Sequence, residues 1–164
     1  MAQNLKLFPI FNSSLVGDGE VMVKEYVNIG IAVSISDGLI VPVLKDADKL
    51  SILEIADKIK ELSEKARSKK LLKKDLEGST FSISSLGQMG GTGFTPIINP
   101  PEVAILSVSR SKNILTMENQ KIVESSILPI ALSYDHRVIN GADAGSFMTS
   151  LKSIVEGIDS SYFQ

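Results

Sequence analysis

One histidine, His136, and no cysteine occur among the 164 residues of this chain. Sites built on several imidazoles, thiolate metal centres and protein-borne thiol nucleophiles are therefore excluded. His136 stands in the run Tyr134-Asp135-His136-Arg137-Val138-Ile139-Asn140-Gly141. An imidazole with an ordinary pKa of about 6.5 exchanges protons near neutral pH, so the chemistry open to His136 is general acid–base catalysis. The plainer use is a surface or capping histidine. Asn140 lies four positions on and meets His136 if one helical turn intervenes. Its amide can orient an imidazole or a substrate by hydrogen bonding, although asparagine before Gly141-Ala142 equally suits a helix N-cap. Asp135 and Arg137 flank the histidine with opposite charges, and such neighbours most often form a structural ion pair.

Other candidate groups carry weaker signals. Ser82 and Ser84 alternate with Phe81 and Ile83, which puts both hydroxyls on one face of a predicted strand. No Gly-x-Ser-x-Gly elbow occurs, so a serine hydrolase is poorly supported. The glycine-rich stretch from Gly87 to Gly93 lacks the Gly-Lys-Ser/Thr ending of a phosphate loop, and tight turns are its simpler purpose. Lys69-Lys70-Leu71-Leu72-Lys73-Lys74 reads as a solvated helix end, with guidance of an anionic ligand as the alternative.

These groups need elements to hold them. Residues 27–35 are apolar at every second position and 39–44 are continuously apolar, with Asp37-Gly38 as a turn between them. This predicts a hairpin, and Pro42 points to a sheet edge or a ladder end because it has no N–H. Ser51 and Glu54 have capping-box spacing, and Ile52, Ile55, Ala56, Ile59, Leu62 and Ala66 follow helical spacing after it. Strands are predicted at 80–84, 103–109 and 128–133, a polar hairpin within 112–126 with its tip near 117–120, and a final helix from about Gly141. Strands and helices do not alternate as βαβ units. The expected fold is therefore α+β, a mixed β-sheet flanked by helices.

Composition agrees with one domain. At 17.7 kDa and 43% hydrophobic residues the chain can bury a sizeable core without staples. A net charge of −2 and a pI near 5.5 argue against nucleic acid as a partner. No apolar run is longer than that from Leu39 to Leu44, which is far short of the ~20 residues that span a bilayer. Met1 to Phe8 does not read as a signal peptide, so the expected location is cytoplasmic, with no membrane partner.

Four stretches taken together resemble the catalytic domain of the dihydrolipoamide acyltransferase component of 2-oxo acid dehydrogenase complexes. They are Phe11-Asn-Ser-Ser-Leu15, Gly38-Leu-Ile-Val-Pro-Val-Leu44 with its following helix, Thr80-Phe-Ser-Ile-Ser-Ser-Leu-Gly87 leading to Ile98-Asn-Pro-Pro101, and Leu132-Ser-Tyr-Asp-His-Arg-Val-Ile-Asn-Gly-Ala142. Asn140 stands where the family signature has aspartate, and this departure resembles the acetyltransferases of bacterial pyruvate dehydrogenase complexes. The resemblance implies a chloramphenicol acetyltransferase-like fold and transfer of an acetyl group between dihydrolipoamide and coenzyme A. It assigns His136 as general base, a serine of the Thr80–Gly87 block, at the position of Ser84, as oxyanion donor, and Asn140 as an organiser of the site. Strand alternation is compatible with Ser84 and leaves Ser82 open as well. Coenzyme A enters as a substrate, the lipoyl group arrives on a separate module, and no metal is implied.

The resemblance further implies a homotrimer that builds a larger core, with His136 and Ser84 contributed by neighbouring chains. The decarboxylase and dihydrolipoamide dehydrogenase components are its implied partners. It places the catalytic domain at 5–158, without the family's N-terminal portion, and leaves 1–4 and 159–164 as terminal extensions. A truncated chain that serves assembly without catalysis is the alternative this raises.

Overall fold

The computed structural model describes residues 1–87, 91–118 and 120–159. Residues 88–90 of the glycine-rich stretch, Asn119 at the expected hairpin tip and residues 160–164 lie outside these.

The chain opens with helix α1 (Ala2–Leu7) and a short 3-10 turn at Pro9–Asn12. Of residues 1–4, expected as an extension, Met1 caps this helix and 2–4 lie in it. Asn4 is buried and donates from Nδ2 to the carbonyl of Phe147 at 3.0 Å, so the N-terminus is tied to the end of the fold. A small antiparallel pair follows, β1 (Ser13–Val16) with β2 (Glu20–Val23).

The next apolar stretch makes four short strands where two longer ones were expected: β3 (Ile29–Ile31), β4 (Val33–Ile35), β5 (Gly38–Ile40) and β6 (Val43–Leu44). The hairpin register runs from Ile35↔Gly38 through Val33↔Ile40 to Gly30↔Val43 and Ile29↔Leu44. Its interruption has a local cause. Ile31 N–H donates to the carbonyl of Pro42, but Pro42 has no N–H to return, and Ala32 N–H turns away to Ile83. Gly38 takes φ +136° just after the two-residue turn, which a side chain would strain.

Ser51 caps helix α2 (Ile52–Arg67) with both bonds of a capping box, from Glu54 N–H to Ser51 and from Ser51 N–H to the Glu54 carboxylate. Its apolar stripe is only half covered, and of the expected core positions Ala66 is buried whereas Ala56 is exposed. Strands β7 (Phe81–Ser85), β8 (Ala104–Val108), the hairpin β9 (Lys112–Glu118) and β10 (Lys121–Ile127), then β11 (Ile130–Tyr134) and helix α3 (Gly141–Glu156) complete the chain.

The main sheet has five strands in the order β11-β8-β7-β3-β6, with β8-β7-β3 parallel and an antiparallel strand at each edge. Pro42 thus lies just before an edge strand, where its missing N–H is tolerated. The β9–β10 hairpin stands apart as its own two-stranded sheet. It was expected to be polar, yet Leu115, Met117 and Ile122 are each more than 70% exposed.

One aromatic cluster joins the two ends of the chain to the sheet. Phe147 of α3 stacks on Phe11 at 4.1 Å between ring centroids, meets Phe8 edge-on at 5.7 Å, and lies 6.1 Å from Phe81 of β7. Phe11, Phe81 and Phe147 are all fully buried. Ring pairs of this kind add about 0.5–1.5 kcal/mol each beyond the area they bury. Phe147→Ala is expected to destabilise the fold by about 3–5 kcal/mol in urea unfolding, because the hole lies where three segments meet.

Candidate active site

The turn that carries His136 is held at three points. β11 ends at Tyr134, and Asp135 N–H extends the ladder to the carbonyl of Val103 at 2.8 Å. The Asp135 carbonyl then accepts from Val138 N–H and Ile139 N–H, which closes a tight turn. Ile139 is wholly buried in the core beside Ala144 and Phe147. Finally Asn140 caps α3: its Oδ1 accepts from Asp143 N–H at 2.9 Å, and its Nδ2 donates to the Asp143 carboxylate at 2.7 Å.

His136 projects from this turn and is exposed. Among the described residues its imidazole has no hydrogen-bond partner, and its one ring contact is Tyr134, at 5.6 Å between centroids. Asn140 does not meet it, because the amide is occupied by Asp143. Beside the histidine, Arg137 grips Asp135 through Nε and a terminal nitrogen, at 2.6–3.1 Å. The Arg137 side chain and backbone N–H together hold the Asp135 carboxyl down at about 2. The charges flanking His136 are therefore committed to each other and leave the imidazole without a fixed counter-ion.

Ser84 lies elsewhere. It is half-buried on β7 and lines a cavity of about 380 Å³ together with Leu39, Val41, Ser82, Phe94 and Asn99. Of the two candidate hydroxyls, Ser82 is 1% exposed and donates to Glu102 Oε1 at 2.8 Å. The Ser84 hydroxyl has no hydrogen-bond partner among the described residues and opens on the cavity. The hydroxyl left to donate to a ligand is thus that of Ser84.

Sheet register separates Ser84 from His136 within one chain. Ser84 pairs with Ser107, which pairs in turn with Ala131, whereas Tyr134 pairs with Ala104 at the other end of β8. Three residues correspond to about 10 Å along the strands, and two strand spacings add about 9.6 Å across them. His136 lies beyond Tyr134 on the far side, so the separation is on the order of 15 Å or more.

Sequence reasoning passed over one residue in this region, Glu102, which is buried beneath Ser82 and Asn99. Its signal was an acidic side chain immediately before the continuous apolar run Val103–Leu106. Among the described residues no cluster of His, Asp and Glu is arranged to hold a metal ion, and no helix is long and apolar enough to cross a membrane.

A mixed sheet of this order with flanking helices is the chloramphenicol acetyltransferase architecture. A chloramphenicol acetyltransferase superposes with a TM-score of 0.59 at 12% identity, over 93% of this chain and 72% of that one, which shows the fold. The model of the 2-oxoacid dehydrogenases acyltransferase (catalytic domain) family matches residues 1–162, and the chain belongs to that family. The dihydrolipoyllysine-residue acetyltransferase component of the Pseudomonas aeruginosa pyruvate dehydrogenase complex is 48% identical over 158 residues, covering 96% of this chain and 29% of that protein. A solved structure of the Azotobacter vinelandii dihydrolipoamide acetyltransferase has a TM-score of 0.92 at 48% identity, over 95% of this chain and 65% of that one. It belongs to a study of one serine, one histidine and one asparagine in that enzyme's catalytic mechanism. The cubic core of a pyruvate dehydrogenase multienzyme complex has a TM-score of 0.88 at 50% identity, over 92% of this chain and 62% of that one. The chain spans between 24% and 40% of the length of the curated relatives it matches.

Two consequences of the turn are measurable. Arg137→Ala should raise the Asp135 midpoint in a carboxyl NMR titration from about 2 toward the ordinary 3.8. A carboxyl held low contributes stability above its unfolded pKa and loses it as pH falls through the folded one. The stability advantage of the unaltered protein over Arg137→Ala should therefore narrow between about pH 4 and pH 2. Asn140→Ala should lower stability by about 1 kcal/mol in thermal unfolding, through loss of the cap on α3.

Proposed function

We propose that this chain is the catalytic domain of a dihydrolipoamide acetyltransferase, which moves an acetyl group between dihydrolipoamide and coenzyme A in a pyruvate dehydrogenase complex. One observation carries the reading. In the Azotobacter vinelandii enzyme the serine under study stands fifty-two residues before the histidine, and the asparagine four after it. Ser84, His136 and Asn140 have the same two spacings. Family membership supports the reaction class.

His136 serves as general base. It accepts the proton of the incoming thiol, and the thiolate so formed attacks the carbonyl of the acetyl thioester. A thiol near 8.5 and an imidazole near 6.5 are matched closely enough for transfer within a positioned pair. Ser84 donates to the carbonyl oxygen as charge develops there, and a donor so placed is worth about 3–4 kcal/mol. Collapse expels the second thiolate, which takes the proton back from His136. Asn140 acts by capping α3, which holds the histidine turn. Both thiols belong to the substrates, in keeping with a chain that has no cysteine. The cavity beside Ser84, with apolar walls from Leu39, Val41 and Phe94, suits the aliphatic arm that bears such a thiol.

The separation of His136 and Ser84 in one chain supports a site completed by a neighbouring copy, and the resemblance to the family implies that the copies form a homotrimer and that trimers join into a larger core. The lipoyl group is brought on a separate module, the decarboxylase and dihydrolipoamide dehydrogenase are the partner components, and the compartment is the cytoplasm. The same separation favours a second reading, an assembly domain without catalysis. An assay of acetyl transfer from acetyl-CoA to dihydrolipoamide decides between them. His136→Ala should lower the rate about a thousandfold, and Ser84→Ala about a hundredfold, with circular dichroism unchanged. Equal rates for His136→Ala and the unaltered chain would remove His136 from the mechanism.

A further inference from the structure

Glu102 is a buried carboxyl that the proposed reaction does not use. It is 6% exposed and lies just before β8. Its Oε1 accepts from Ser82 Oγ at 2.8 Å and from Asn99 Nδ2 at 3.5 Å. Its Oε2 is buried with no hydrogen-bond partner. Among the described residues no cation forms an ion pair with it. A buried, partly unsatisfied carboxyl costs stability, and an apolar side chain of similar volume would pack there at lower cost. Stability alone therefore does not account for a carboxyl at this position.

Both groups that Glu102 holds line the cavity that contains Ser84. Ser82 reaches it from β7, two residues before Ser84, and Asn99 from the segment that carries Phe94, Pro96 and Ile97 along the cavity wall. The backbone is built to let the hydroxyls approach. A Cβ at Gly30 of β3 would come within 2.6 Å of Ser82 Oγ and 2.8 Å of Ser79 Oγ. We propose that Glu102 is a positioning residue for acyl transfer: its carboxyl ties Ser82 to Asn99 and so fixes the wall beside which the Ser84 hydroxyl donates. This rests on the acyl-transfer reading of the site. Burial raises the Glu102 carboxyl above the ordinary range, against the pull of the hydrogen bonds from Ser82 and Asn99.

The test compares Glu102→Gln, Glu102→Ala and Asn99→Ala with the unaltered protein in its assembled state. Two readouts are taken: kcat and KM for acetyl transfer, and hydrogen exchange across residues 94–99. Glutamine keeps a neutral acceptor, so Glu102→Gln should retain kcat within about twofold and leave exchange unchanged. Glu102→Ala should lower kcat about tenfold with KM within about twofold, and accelerate exchange in 94–99. Should Glu102→Ala fail to fold, Asn99→Ala removes one of the two bonds and should shift both readouts the same way, by about threefold. An alanine variant with unaltered kcat overturns the proposal, as does Glu102→Gln behaving like Glu102→Ala. Loss of kcat with unchanged exchange also overturns it. An unaltered protein without acetyl transfer rejects the acyl-transfer reading instead. In that case the exchange result alone decides whether Glu102 holds the segment.

Discussion

The stacking of Phe147 on Phe11 is the contact on which the rest of the molecule depends. It draws the N-terminal segment, β7 and the C-terminal helix onto one point, and Asn4 reinforces it through the Phe147 carbonyl. With α3 fixed there, its N-terminus is fixed as well, and Asn140 and Ile139 have a set place in the fold. His136 therefore owes its position to a ring cluster in the core, although it makes no contact with that cluster. An exposed imidazole on a turn would otherwise sample many orientations. Here the buried Ile139 on one side, the ladder bond of Asp135 on the other and the Asn140 cap confine its backbone.

Sheet register supplies the second constraint. Parallel pairing of β7 with β8 and antiparallel pairing of β8 with β11 send Ser84 and the histidine turn to opposite ends of the same sheet. No side-chain rotation closes a gap of this size. A proposed chemistry that needs both groups thus asks for a second copy of the chain, and this follows from strand order and from no loop in particular. The apolar side chains of the β9–β10 hairpin also stand largely exposed.

Much of this was legible in the sequence, for physical reasons. The α2 capping box and the strand alternation around Phe81 are local signals that survive folding, and the turn expected at Asp37-Gly38 forms one residue earlier, at Ser36-Asp37. What escaped depended on contacts across the sheet. The break between β3 and β4 arises because Pro42 cannot return a hydrogen bond and Ala32 bonds to Ile83, a residue fifty-one positions away. The choice between Ser82 and Ser84 could not be made from alternation, since both hydroxyls share a face. What distinguishes them is that the Glu102 carboxyl accepts from Ser82, whereas the Ser84 hydroxyl has no hydrogen-bond partner among the described residues. The role of Asn140 shows the same limit: spacing allowed contact with His136, whereas the amide is committed to Asp143. Residues 1–4 read as an extension because nothing in their order announces that Asn4 will be buried and bonded to α3.

The central claim is that His136 and Ser84 act together from different copies of the chain. Two separately inactive proteins, His136→Ala and Ser84→Ala, can be unfolded, mixed in equal amounts and refolded together, and their acetyl transfer measured. If each site takes its histidine from one copy and its serine from the next, random assembly leaves about a quarter of sites intact. The expected result is therefore recovery to about a quarter of the unaltered rate per chain. A mixture that stays as inactive as its parents, although hybrid assemblies have formed, would contradict the claim.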